Sequence, residues 1–96
     1  MEIGGAVYIL TNKSNNVLYT GVTSNLKARI FEHKEKTYPN SFSAKYNTNK
    51  LVYFIGFNNI EDAVAEEKRI KGGSRTAKIK LIESINLEWN DLFSQI

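Results

Sequence analysis

Tyr8, Tyr19, Arg29, His33 and Glu67 are the residues of this 96-residue chain whose types suit a common chemistry. Phenol, imidazole and carboxylate groups move protons or hold a hard cation, and a guanidinium neutralises charge on phosphate or carboxylate oxygens. His33 is the only histidine, and its titration range is the one that crosses neutrality. Six cations, Lys68, Arg69, Lys71, Arg75, Lys78 and Lys80, follow one another without an intervening acid, while Glu61, Asp62, Glu66 and Glu67 lie just before or at their start. Such a run can track a phosphate backbone, and a solvated helix surface has the same composition.

The elements that must position these groups can be read from spacing. Val7-Tyr8-Ile9-Leu10 and Val17-Leu18-Tyr19-Thr20-Gly21-Val22 are β-branched and aromatic runs, separated by the polar stretch Thr11-Asn12-Lys13-Ser14-Asn15-Asn16. A hairpin with a loop of about four residues is expected, with Thr11 opposite Asn16 and Tyr8 opposite Tyr19. Both phenols then leave the same face of the sheet, although a one-residue slip would separate them, and ordinary strand tyrosines fit the pattern too.

Thr23 or Ser24 can cap a helix from about Asn25, in which Leu26, Arg29, Ile30 and His33 share a face. The two apolar members must look inward, so Arg29 and His33 lie at the margin of the core. Thr37-Tyr38-Pro39-Asn40 breaks that helix. Asn40 or Ser41 caps a short turn in which Phe42 is expected to anchor to the core, while Lys45 and Tyr46 have a spacing that suits either facing a ligand or simple packing. Leu51 to Phe57 reads as a third strand, with the first strand in the middle of the sheet. Asn58 or Asn59 caps the next helix. At about 100° per residue Glu67 lies only about 20° from Ile60, in the centre of an apolar stripe. A carboxylate there needs a cation or donors, either Lys71 four residues on or a metal ion. Ser74 caps a helix to about Asn86 with Ala77, Leu81, Ile82 and Ile85 inward, and residues 87–94 read as a closing helix carrying Trp89 and Phe93.

Composition sets the outer bounds. Thirteen basic and ten acidic side chains give a net charge of +3. The absence of cysteine excludes disulfides and thiolate metal sites, and no apolar run reaches the roughly 20 residues of a membrane span. One cytoplasmic domain over 1–96 is expected, with its core in about 4–85, and of the oligomeric states, which the sequence does not fix, a monomer is favoured.

With these residues in order, the chain resembles the GIY-YIG nuclease superfamily, and within it a small stand-alone bacterial group. Ala6-Val7-Tyr8 and Tyr19-Thr20-Gly21 stand in for the two signature tripeptides, followed by Arg29, Glu32-His33, Phe42-Ser43-Ala44-Lys45-Tyr46-Asn47, Glu67-Lys68-Arg69-Ile70-Lys71-Gly72 and Glu88-Trp89-Asn90-Asp91-Leu92. The resemblance implies an α+β fold, a three-stranded antiparallel sheet of order 2-1-3 flanked by helices. It further implies divalent-metal-dependent hydrolysis of DNA, or of RNA, with no membrane and no organic cofactor. In that scheme Glu67 holds Mg²⁺ or Mn²⁺, Arg29 neutralises the phosphoryl oxygens, and Tyr8, Tyr19 and His33 handle the proton. Tyr8 is the family's general base, yet a phenol pKa near 10 makes His33 a competitor. Lys45, Tyr46, Lys71, Arg75, Lys78 and Asn90 are carried over as substrate contacts, with Asn86 an alternative to Asn90. Little sequence specificity is expected, since no added domain supplies it. A nucleic-acid-binding module without turnover, or a nuclease directed by a partner protein, is the competing reading.

Overall fold

Strand β1 (Gly5–Thr11) is buried along its whole length. A run with no charged side chain has to be covered on both faces and paired on both edges, and the centre of a sheet does both. The structure, a computed structural model, describes residues 4–96. In it β2 (Leu18–Thr23) and β3 (Lys50–Phe57) flank β1, both antiparallel, in the order β2-β1-β3. Helix α1 (Leu26–Lys34) and a terminal 3₁₀ turn (Leu92–Gln95) cover one face, packing on Ala6, Tyr8, Leu10 and Leu51. Helices α3 (Ile60–Lys71) and α4 (Arg75–Ile85) cover the other, on Val7, Ile9, Val52 and Tyr53. The short α2 (Phe42–Tyr46) lies in the connection between α1 and β3. This is the α+β architecture expected from the sequence. Ile30 and Ile82, fully buried on opposite faces, each contribute about 1.5–3 kcal/mol to holding their helices down. No helix among the described residues is long and apolar enough to cross a membrane.

The hairpin register departs from the expected one. Thr11 pairs with Leu18, Leu10 with Tyr19 and Tyr8 with Gly21. The loop is longer because Asn12 organises it: its side-chain oxygen accepts from the N–H groups of Asn16 and Val17, at 3.0 and 3.2 Å, and Asn15 adopts the left-handed conformation at φ 60°. Thr11 Oγ1 ties the far end by donating to the Val17 carbonyl at 2.8 Å. The displacement is even, so it moves Tyr19 along the strand without turning it over. Both tyrosines keep the same face, as diagonal neighbours.

Other differences are local. The cap of α1 is Asn25, whose side chain accepts from Ala28 N–H, while Thr23 accepts from Asn25 N–H. In β3 the pairing jumps from Ile9–Tyr53 to Leu10–Leu51, so Val52 is an extra residue, and Val52 and Tyr53 both face the second core. Beyond Tyr53 the strand emerges, and Ile55 and Gly56 are exposed. Ala77 and Ile85, expected inward, are also exposed. Residues 87–94 do not form a helix. Asn86 is buried and donates to the carbonyls of Val52 (3.1 Å) and Asn90 (2.8 Å) while accepting from Asn90 N–H (2.9 Å). Those bonds replace helical ones, Trp89 turns left-handed at φ 57°, and only the 3₁₀ turn follows. Leu92 within that turn joins the core, which therefore extends beyond residue 85.

Candidate active site

On the face covered by α1, the diagonal offset of the tyrosines leaves a gap that His33 fills. The ring centroids of Tyr8 and Tyr19 are 6.4 Å apart, and His33 lies 5.6 Å from the first and 5.4 Å from the second. Tyr8 passes over Gly21, where a Cβ would lie 2.3 Å from the phenol Cζ. Only glycine leaves room for the ring there. Its hydroxyl reaches His33 Nε2 at 2.9 Å. The other imidazole nitrogen, Nδ1, is 2.8 Å from Ser43 Oγ on α2. Ser43 in turn lies 3.0 Å from the Thr48 carbonyl and 2.8 Å from the Thr48 hydroxyl. Tyr8, His33, Ser43 and Thr48 are all buried.

Burial pushes the Tyr8 phenol up to about 12, with Tyr19 adding to the rise and the Arg29 charge opposing it. Burial also holds His33 down to about 4, helped by Arg29 and opposed by Glu32. At pH 7 the pair is therefore a neutral phenol against a neutral imidazole. Arg29 sits beside it at the rim, half-buried, with Nη1 3.1 Å from Glu32 Oε1 and its guanidinium over the Tyr38 ring at 5.4 Å. Glu32 holds the fork where a phosphate oxygen could take its place.

Glu67 belongs to the opposite layer. Its side chain is 13% exposed and pairs with Lys71 Nζ at 3.5 Å, so it is neither in bulk water nor hydrogen-bonded to the tyrosines. What joins the two layers is the open edge of β2. A cleft of about 400 Å³ there is lined by Leu18, Tyr19, Thr20 and Phe42 together with Lys71 and Lys78. Lys78 Nζ also donates to the Gly73 carbonyl at 2.7 Å. Arg75, Lys45 and Asn90 are exposed outside the cleft lining, and the Asn90 main chain is held by Asn86. Among the described residues no group of three or more His, Cys, Asp or Glu side chains could hold a metal ion. The donor set is one half-buried carboxylate, which fits Mg²⁺ or Mn²⁺ only where water and substrate oxygens complete the shell.

Three contributors escape the sequence pattern. Phe42 is 47% exposed, so it does not anchor α2 to the core. It stacks on Tyr19 with centroids 5.9 Å apart and lies tilted against Tyr46 at 4.5 Å, making a stair of aromatic rings up from the cleft. Ser43 and Thr48 are small hydroxyl residues ten and fifteen positions from His33, and nothing in local spacing ties them to it. Glu32 did carry a signal, three residues after Arg29 on the same helix.

Comparison with known proteins agrees with the fold. UPF0213 proteins from Clostridium perfringens and Pediococcus pentosaceus are 41% and 30% identical, over 85% and 94% of this chain and 86% and 94% of theirs. The solution NMR structure of a UPF0213 protein from Bacillus halodurans superposes with a TM-score of 0.57 at 26% identity, covering 91% of this chain and 90% of that one. The GIY-YIG catalytic domain profile matches residues 4–80, which takes in β1 through the first half of α4. The chain belongs to the GIY-YIG family.

Proposed function

We propose that this protein is a divalent-metal-dependent endonuclease that hydrolyses DNA phosphodiester bonds with little sequence preference. The observation that carries the reading is the buried Tyr8–His33 hydrogen bond beside Arg29, packed against Tyr19, which also lines a cleft with Lys71 and Lys78. A buried phenol with no catalytic task would be satisfied by any carbonyl. Here its partner is the sole histidine, an imidazole that is unprotonated at pH 7 and so can accept the phenol proton.

In the resting site the proton stays on Tyr8, since the phenol stands near 12 and the imidazole near 4. Tyr8 can therefore act as a base only by relay: as it accepts a proton from the attacking water, its own proton passes to His33 Nε2. Arg29 exchanges Glu32 for the phosphoryl group and balances the charge that grows on its oxygens. Tyr19 walls the pair and orders it. A cation bound at Glu67 would supply Lewis-acid stabilisation of the leaving oxygen. Lys71, and Lys78 after it, face the sugar-phosphate backbone, and the Tyr19–Phe42–Tyr46 stair offers π-faces to bases. Neither kind of contact distinguishes one base pair from another, which is the basis for expecting low specificity.

Plasmid nicking by purified protein in Mg²⁺ or Mn²⁺ tests this directly, alongside Tyr8→Phe and Glu67→Gln. Both variants are expected to lose at least about 100-fold in rate. Cleavage that survives Glu67→Gln would reject the metal role, and gel-shift binding without any cleavage would favour a binding module.

A further inference from the structure

We infer that Ser43 is a positioning residue that fixes which nitrogen of His33 carries the proton, leaving Nε2 bare toward the Tyr8 hydroxyl. This rests on the nuclease reading above for its catalytic meaning. The assignment itself follows from counting donors. Ser43 Oγ has one hydrogen, and the buried Thr48 carbonyl, 3.0 Å away, has Ser43 as its hydrogen-bond donor. The Thr48 hydroxyl donates to Ser43 Oγ at 2.8 Å, its other acceptor, the Ser43 carbonyl, being more distant at 3.4 Å. What remains on Ser43 is a lone pair, 2.8 Å from His33 Nδ1. Nδ1 must then be the N–H, and Nε2 the acceptor for Tyr8 O–H. The opposite tautomer would strand the Thr48 carbonyl in a dry site and leave Nε2–H pointing at a phenol that could no longer give up its proton.

The backbone is built to hold this arrangement. Asn47 closes α2 in the left-handed conformation at φ 57°, which turns the chain so that Thr48 N–H bonds back to the Ser43 carbonyl at 3.0 Å. Asparagine tolerates that conformation better than most residues. The turn thereby delivers the Thr48 carbonyl and hydroxyl to the same serine oxygen.

Because His33 is the sole histidine, a long-range ¹H–¹⁵N correlation spectrum of the full-length ¹⁵N-labelled protein reads its tautomer without assignment. At pH 7 the wild type is expected to show one neutral form, protonated at Nδ1. Ser43→Ala should shift the ring toward Nε2–H and lower kcat roughly 100-fold with KM within about twofold. Ser43→Thr, which keeps the hydroxyl, should restore the wild-type tautomer and most of kcat. A wild-type spectrum protonated at Nε2 would overturn the assignment without need of any variant, so a Ser43→Ala protein that fails to fold does not shield it. Unchanged tautomer and kcat in a folded Ser43→Ala would overturn it too. Absence of cleavage by the wild type would refute the nuclease reading and leave the ring assignment to be decided by the spectra.

Discussion

Gly21→Ala is the substitution whose consequences follow most directly from the geometry. The backbone at Gly21 is not in the left-handed region, so alanine meets no conformational strain, and any effect must come from its methyl group. That methyl would lie 2.3 Å from Tyr8 Cζ, 2.4 Å from the hydroxyl oxygen and 2.8 Å from Cε2. Ordinary contact begins at 3.4 Å, so the ring must retreat by about 1 Å. Tyr8 is 1% exposed and has no free space to retreat into. Overpacking of this kind costs about 1–3 kcal/mol. The same shift breaks the 2.9 Å bond to His33, and a displacement of about 1 Å at reacting groups costs on the order of 100-fold in rate. Urea unfolding and plasmid nicking measure the two effects. The mechanism is checked by repeating Gly21→Ala in a Tyr8→Leu background, which lacks the phenol carbon and oxygen that collide. There the added stability cost should fall below about 0.5 kcal/mol. An equal cost in both backgrounds would refute steric conflict with Tyr8 as the cause.

Other expectations follow from the same contacts. His33 is held near 4 when folded against 6.5 ordinarily, so the unfolded chain binds more protons between these values and stability should fall as pH drops through that window. The loss should approach about 2 kcal/mol after allowance for screening, and unfolding midpoints for His33→Gln should lack it. Lys71→Ala should lower the slope of log affinity for duplex DNA against log salt by about 0.9, measured by fluorescence anisotropy, and act equally on unrelated sequences. Its ion pair with Glu67 involves a lysine side chain that is 63% exposed, so thermal stability should change by less than about 1 kcal/mol. Asn86→Ala should cost about 2–3 kcal/mol in urea unfolding, because it strands the Val52 carbonyl and frees the turn to Asn90. The folded fraction should retain kcat within about twofold.

The three strands, their order and the main helices were legible because each rests on a local pattern: alternating or continuous apolar runs, a capping residue and a charge gradient. Asn59, Ser41 and Ser74 cap their helices as their types and positions predict. The errors arose where side chains compete with the backbone. Asn12 lengthened the hairpin loop, and Asn86 dissolved the expected closing helix, each by offering hydrogen bonds that the periodicity of apolar residues does not register. Phe42 leaves the core for a related reason: a large apolar residue normally seeks it, but α2 is a five-residue excursion whose buried side is occupied by Ser43 and Ala44.

By itself, the sequence determined which side chains could take part in chemistry, and that Tyr8 and Tyr19 would share a face in any register an even number of residues from the expected one, because strand periodicity is a property of the covalent chain. It also determined that Glu67 would fall on a helix stripe and need a cation. Only the tertiary structure decided that Tyr8 would meet His33 at hydrogen-bond distance, that Ser43 and Thr48 would stand behind it, and that Glu67 would lie in the layer on the other face of the sheet. Those contacts join segments 10 to 25 residues apart or more, and they depend on how layers pack and loops close, which no short window of sequence encodes.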